Sequence, residues 1–305
     1  MSENIYDLII IGAGPAGFTA SIYASRYKIK NVVIGKIMGG LASTAHKICN
    51  WPSEKAITGA DLMARMQDSA KELGGEVMLD DVISVEKAKN SFTIKTMMGK
   101  EIVTRSILIA SGTERRKLGI EAEKEFLGKG VSYCSTCDGA FFKDKVVGVV
   151  GGSDSANTAA IHLADVAKQV YQIYRKSELR GDPTWIEQVK SNKKIEVVYD
   201  ANVVDLKGEE KLEKIVLDTD REIEVDGLFI EIGSSPHLGG LELLELETND
   251  GGYIKVESDQ STNVDGVWAA GDITDGSNNF RQVITACAEG SVATESIYKY
   301  LKSNS

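Results

Sequence analysis

The chain has 305 residues, enough for two domains with a core each. Its 42% hydrophobic and 26% charged residues exclude a disordered or low-complexity chain. A formal net charge of −10 without a Lys/Arg run excludes a nucleic-acid binder, since phosphates would repel it. The apolar run Leu8-Ile9-Ile10-Ile11 stops at Gly12, far short of the roughly 20 residues that a membrane span needs. Glu3 and Asp7 precede it, so it lacks the basic flank of a signal peptide. A cytoplasmic protein with no membrane partner is expected. Thiols stay reduced there, and four cysteines including a C-x-x-C pair then point to redox or metal chemistry.

In chain order, residues 6–11 predict a buried parallel strand. Gly12-Ala13-Gly14-Pro15-Ala16-Gly17 follows, then a helix over 18–27 and a second strand over 31–34. In that setting G-x-G-x-x-G is a dinucleotide turn. The first glycine permits the bend, the second lets a pyrophosphate reach the backbone, and the third lets helix and strand pack. The acid that usually follows the second strand to bind ribose is absent, because Gly35 and Lys36 stand there; this favours FAD over NAD. Residues 39–52 are polar and irregular and end in Asn50-Trp51-Pro52. A helix is predicted over 59–73, with Leu62, Met66, Ala70 and Leu73 on one face. Segments 75–79, 82–87, 91–96 and 101–104 alternate as an antiparallel meander. Residues 106–112 then return to the first sheet and end in Gly112, which puts a domain boundary near 115.

Cys134-Ser135-Thr136-Cys137-Asp138-Gly139 comes next. Two cysteines at this spacing can close and reopen a small disulfide ring, a two-electron store. A zinc site would need a second ligand pair. Cys49, Cys287 and the isolated His46, His162 and His237 supply none, so no metal is expected; the two cysteines are read as core residues near the FAD domain and the histidines as structural or surface residues.

A second nucleotide unit follows: a strand over 145–150, the turn Gly151-Gly152-Ser153-Asp154-Ser155-Ala156, a helix over 157–166 and a strand over 169–174. Arg175, Lys176 and Arg180 come directly after it, and positive charge there suits a ribose 2′-phosphate, favouring NADP over NAD. The plainer reading is a solvated charged turn. Two such units look like an internal duplication. Further strands are predicted over 195–199, 203–206, 213–217, 222–225 and 228–232. Another runs into Ala270-Gly271-Asp272, and a terminal helix opens at 279–282 and reaches Leu301, with Ile284, Ala288, Val292 and Ile297 as its apolar face.

Over nearly its full length the chain resembles the low-molecular-weight thioredoxin reductases. The residues that carry the likeness are Gly12-Ala13-Gly14-Pro15-Ala16-Gly17, Cys134 to Gly139, Ala270-Gly271-Asp272 and Arg281-Gln282. The resemblance implies an α/β fold of two Rossmann-like, three-layer ββα dinucleotide-binding domains. The FAD domain would be discontinuous, over 1–115 and 241–305, and the NAD(P)H domain over 116–240 would carry the redox disulfide. FAD would lie against Gly12, Gly14, Pro15, Ala16, Gly17, Asn50, Gly112, Gly271, Asp272, Arg281 and Gln282. NADPH would lie against Gly151, Gly152, Ser153, Asp154, Ser155, Arg175, Lys176 and Arg180. By the same resemblance Cys137 meets the flavin, Cys134 attacks the disulfide of a thioredoxin-like protein, Asp138 is the acid–base group, and the protein is a homodimer.

The chain departs from the family pattern in the second unit. Ser153 stands where a glycine is usual, Thr158 and Ala159 where two glutamates are, and Tyr174-Arg175-Lys176 where His-Arg-Arg is. Three readings stay open: a thioredoxin reductase using NADPH, one using reduced ferredoxin, and a flavin-bound redox sensor.

Overall fold

The computed structural model describes residues 5–236 and 238–304, so His237 lies outside the described residues. The chain begins with β1 (Ile5–Ile11), α1 (Pro15–Arg26), β2 (Asn31–Gly35), α2 (Gly59–Glu72), β3 (Glu76–Leu79), β4 (Val82–Lys87), β5 (Phe92–Thr96), β6 (Glu101–Ile109) and β7 (Thr113–Arg115). It continues through α3 (Ala122–Phe126), β8 (Val131–Ser132), α4 (Ser135–Asp138), β9 (Val146–Val150), α5 (Asp154–Val166), β10 (Gln169–Ile173) and α6 (Pro183–Ser191). Then come β11 (Ile195–Val198), β12 (Val203–Lys207), β13 (Lys214–Leu217), β14 (Glu222–Glu224), β15 (Gly227–Ile230) and β16 (Ser234–Pro236). The chain closes with β17 (Val267–Ala269) and α7 (Val283–Ser303). Two compact units result, one of residues 1–114 with 235–305 and one of 115–234.

The first unit is built on a sheet of order β3-β2-β1-β6-β5-β4, with β17 added on β6. Strand β1 is flanked by parallel β2 and β6 and is buried on both faces, which is why it reads as an unbroken apolar run. Its side chains alternate: Ile9 and Ile11 enter one core, and Leu8 and Ile10 enter another shared with α1 and α7. Pro15 starts α1 in the first turn, where its missing N–H costs no hydrogen bond, so the helix begins earlier than 18.

Three expectations are corrected here. Residues 101–104 and 106–109 form one strand, β6, antiparallel to β5 at its start and parallel to β1 along its length, since no turn residue interrupts them. The meander is therefore an extension of the parallel sheet. Strand β3 lies outside it, paired parallel with β2. On α7 the buried face runs through Ala286, Gly290, Ala293, Ile297 and Leu301, while Ile284 and Val292 are exposed. Close packing of α7 on α1 selects small residues: a Cβ on Gly290 would fall 2.4 Å from the Ala16 carbonyl oxygen.

The second unit repeats the plan. Its parallel sheet has the order β11-β10-β9-β15-β8, and the antiparallel sheet β12-β13-β14 is separate. Val147, Val149 and Phe229 pack under α5, whereas Val150, Leu228 and Ile230 share a core with Leu206, Ile215 and Ile223 of the antiparallel sheet. This is the three-layer α/β arrangement. Helix α6 was not anticipated, although Asp182 caps it by accepting the Thr184 N–H and Pro183 opens it, a start signal legible in the sequence.

Candidate active site

The first glycine turn joins β1 to α1. Gly12 has φ +120°, and a Cβ there would sit 2.1 Å from the Ala110 carbonyl oxygen, so only glycine fits beside the end of β6. Gly14 is different: nothing lies within 4 Å of where its Cβ would be. The open space lies over the N-terminus of α1, whose free N–H groups and dipole favour an anion. A backbone cradle that a side chain would fill fits a dinucleotide pyrophosphate. Gly112, at φ +67° three residues past β6, has the same open surround.

Gly271 brings a second segment to this turn, because a Cβ on it would lie 3.1 Å from the Ala16 methyl. The adjoining Asp272 is partly buried, and that burial pushes its carboxyl above the usual carboxylate range; Arg281 opposes the shift and Glu289 adds to it. Arg281 is held by three contacts. Its Nε donates to the Asp272 carbonyl at 3.4 Å, its Nη2 to Asn279 Oδ1 at 2.9 Å, and its guanidinium lies 3.8 Å from the Tyr253 ring centre. Gln282 caps α7 reciprocally with Thr285 and accepts a hydrogen bond of 2.9 Å from Asn50 Nδ2. The structure thus gathers Gly12 to Gly17, Asn50, Gly112, Gly271, Asp272, Arg281 and Gln282 in one unit. Cys287 also comes here, with its Sγ 3.8 Å from the Pro15 carbonyl oxygen, and burial pushes its thiol up. Cys49 is exposed on the loop between the paired Ile48 and Ile57, so it is not a core residue.

In the second unit Cys134 and Cys137 are joined as a disulfide, with their Cα atoms 5.3 Å apart. Cys137 is exposed and Cys134 half-buried. Cys134 caps α4: its Sγ accepts the Cys137 backbone N–H at 3.1 Å. An N–H aimed at sulfur stabilises a thiolate once the ring opens. Asp138 Oδ2 accepts a 2.7 Å hydrogen bond from Ser132, whose oxygen in turn accepts the Cys134 N–H at 3.0 Å. Just before the pair, Tyr133 donates to Glu123, a buried carboxylate that also accepts the Leu118 and Gly119 N–H groups. Burial, with the Glu123 carboxylate beside it, pushes the Tyr133 hydroxyl far up, so it stays protonated as the donor.

The second glycine turn joins β9 to α5. Ser153 has φ −107° and ψ −177°, close to the −93° and −168° of Gly14. The serine therefore keeps the turn's backbone and adds only its CH2OH group at the place that is open above Gly14. Its hydroxyl makes no cap bond to α5. The Tyr174 ring covers Gly152, where a Cβ would be 2.4 Å from the ring carbon Cγ. Segment 175–182 is tied to the turn by the Arg180 N–H donating to the Gly152 carbonyl at 2.8 Å and by the Asp182 N–H donating to Asp154 Oδ1 at 2.7 Å. Thr158 spends its hydroxyl on the Asp154 carbonyl. Arg175, Lys176 and Arg180 are exposed, and among the described residues no side chain pairs with theirs. Beside the turn, Glu231 is buried and paired with Arg115 at 2.5 Å. Burial outweighs that partner and pushes the carboxyl up to about 7.

Two glycine-turn units and a closed C-x-x-C pair make up the architecture of a dinucleotide-dependent disulfide oxidoreductase. A profile of the family described as pyridine nucleotide-disulphide oxidoreductase matches residues 6–290. The chain is 37% identical to a thioredoxin reductase of Peptoclostridium acidaminophilum, covering 99% of both chains. Its fold is similar to the crystal structure of Lactococcus lactis thioredoxin reductase, with a TM-score of 0.93, 32% identity, and 98% of this chain and 99% of that one covered. It is also similar to a ferredoxin-flavin thioredoxin reductase from Clostridium acetobutylicum, with a TM-score of 0.54, 31% identity, and 98% and 99% covered. The chain belongs to the pyridine nucleotide-disulphide oxidoreductases and, among them, to the thioredoxin reductases. The family pairs FAD with NADPH.

Sequence reasoning passed over Ser132, Glu123, Glu231 and Glu289. Each is a single polar residue outside any motif, and only its burial among backbone donors or a charged partner marks it. Ser132, two residues before Cys134, had the nearest thing to a signal.

Proposed function

We propose that the protein carries two electrons from NADPH, through FAD and the Cys134–Cys137 disulfide, to the disulfide of a thioredoxin-like protein. The observation that carries this reading is the closed C-x-x-C pair whose Cys134 sulfur already accepts a backbone N–H. FAD supplies the two-electron exchange that links a nicotinamide donor to a disulfide. Gly12, Gly14, Pro15, Ala16 and Gly17 hold its pyrophosphate. Asn50, Gly112, Gly271, Asp272, Arg281 and Gln282 hold the rest. The unit that contains them is the FAD-binding domain, and the other is the NADPH-binding domain. Gly151, Gly152, Ser153, Asp154 and Ser155 receive the NADPH pyrophosphate, and Arg175, Lys176 and Arg180 read its 2′-phosphate; their unpaired charges support this. Cys137 is the sulfur that would accept electrons from bound FAD, and Cys134 is the attacking thiolate. Asp138 gives and recovers the proton. The enzyme works as a homodimer in the cytoplasm, where thioredoxin-like carriers turn over.

Anaerobic titration with NADPH, following the flavin absorption band, tests the donor. Bleaching that a thioredoxin disulfide reverses is the expected result. A band that NADPH leaves oxidised but dithionite bleaches would remove NADPH as donor. The second reading, reduced ferredoxin as donor, is favoured by one observation: the Ser153 side chain stands where a pyrophosphate would approach.

A further inference from the structure

We propose that Ser132 is the positioning residue for the proton chemistry of the disulfide: its hydroxyl holds the Asp138 carboxylate in place while the Cys134–Cys137 bond opens and closes. This rests on Asp138 being the acid–base group, as proposed above.

Ser132 is 6% exposed. It ends β8, where it is paired with Phe229 of β15, so it belongs to the parallel sheet and not to the redox loop. Both of its strong bonds reach into that loop. It accepts the Cys134 N–H at 3.0 Å and donates to Asp138 Oδ2 at 2.7 Å. The Cys134 carbonyl oxygen lies 3.4 Å from the same hydroxyl, but serine has one proton to give. The shorter bond, to the Asp138 carboxyl, takes it.

The consequence concerns the open state. While the disulfide is closed, the ring itself restrains residues 134–137. Once it is cut, that restraint is gone, and the remaining ties of Asp138 to this cysteine are its own N–H, which donates to the Cys134 carbonyl at 3.1 Å, and the Ser132 bridge. The backbone bond fixes the main chain; among the described residues, only Ser132 donates a hydrogen bond to the carboxylate. The proton step needs it fixed in both states. Two electrons, which bound FAD would supply, cut the S–S bond to two thiolates; Asp138, entering this step protonated, gives its proton to one, leaving a thiol, a thiolate and its own carboxylate. In the return direction the Cys134 thiolate attacks the carrier disulfide and expels one carrier thiolate. The Cys137 thiol then passes its proton to Asp138 and attacks Cys134 Sγ, closing the ring and releasing the second carrier thiolate.

The test uses the FAD-loaded enzyme, thioredoxin disulfide as substrate, and the variants Ser132→Ala, Ser132→Thr, Asp138→Asn and Ser132→Ala with Asp138→Asn. Ser132→Ala should lower kcat about tenfold or more, leave KM for thioredoxin within about twofold, and be rescued by threonine, which restores the hydroxyl. In the Asp138→Asn background, Ser132→Ala should add less than about a twofold loss, because its effect runs through Asp138. Wild-type kcat in Ser132→Ala, or a full additional loss in the Asp138→Asn background, overturns the proposal for Ser132 alone. Wild-type turnover by Asp138→Asn overturns the acid–base reading and this proposal with it. Should alanine prevent folding, the isosteric pair Ser132→Thr and Ser132→Val decides: an active threonine variant beside an inactive, flavin-loaded valine variant supports the proposal, and equal activities overturn it.

Discussion

The Glu289 carboxylate accepts the Gly271 N–H at 2.7 Å and so ties the last helix to the loop that carries Asp272. Its Oε2 also accepts the Thr274 hydroxyl at 3.2 Å, and its Oε1 accepts the Ser277 hydroxyl at 2.5 Å. One buried acid thus gathers three residues, Gly271, Thr274 and Ser277, of the loop that holds Asp272.

Removing it should loosen that loop. Glu289→Ala strands a buried N–H, a loss of roughly 1–3 kcal/mol. The FAD dissociation constant should rise about tenfold or more. Glu289→Gln should fall between, since its carbonyl can serve Gly271 while its amide turns to Ser277. Titrating apoprotein into FAD and following flavin fluorescence measures both. An unchanged constant for the alanine variant would show that the loop holds itself.

Cys134→Ser and Cys137→Ser should each lower thioredoxin reduction about a thousandfold or more, because neither can re-form the two-electron ring. Flavin content should stay that of the native protein, as the flavin turn lies in the other unit. Turnover and the flavin-to-protein absorbance ratio, measured on one preparation, check the two halves. Comparable turnover by either variant would remove the dithiol from the pathway.

Arg175→Ala with Lys176→Ala should raise KM for NADPH about tenfold or more and KM for NADH less than about twofold, since only the former carries the 2′-phosphate. Steady-state kinetics with both donors decides it. Equal increases would mean that these cations act on something other than that phosphate.

Glu231 contributes a pH dependence of known sign. Its folded pKa of about 7 lies above the ordinary value of 4.5, so between those values the folded state holds more protons than the unfolded one. Stability from this group is therefore full below pH 4.5 and lost as pH rises through about 7. Glu231→Gln lacks this loss. Relative to the wild type it should gain roughly 2–3 kcal/mol from pH 5 to pH 8, read from urea unfolding at each pH. A constant difference across that range would mean that Arg115 keeps Glu231 ionised throughout.

The parts legible in the sequence were those where backbone geometry restricts residue choice. Gly12 cannot be replaced beside Ala110, and a strand buried on both faces must read like β1. The C-x-x-C pair was legible because its spacing is itself the chemistry. Patterns failed where packing or a lone hydrogen bond decides. The α7 face was misjudged because large apolar residues look buried, whereas a close crossing beside Ala16 buries Gly290 and exposes Val292. Ser132 and Glu289 were invisible because a single serine or glutamate carries no period; their roles come from the partners that the fold brings to them.

The shared backbone of Gly14 and Ser153 has an evolutionary consequence. Residue 153 is free of any demand from the turn's own conformation, so selection can exchange it without disturbing the scaffold. A change at this one position can therefore alter what fits above the second turn while the backbone from β9 into α5 stays as it is.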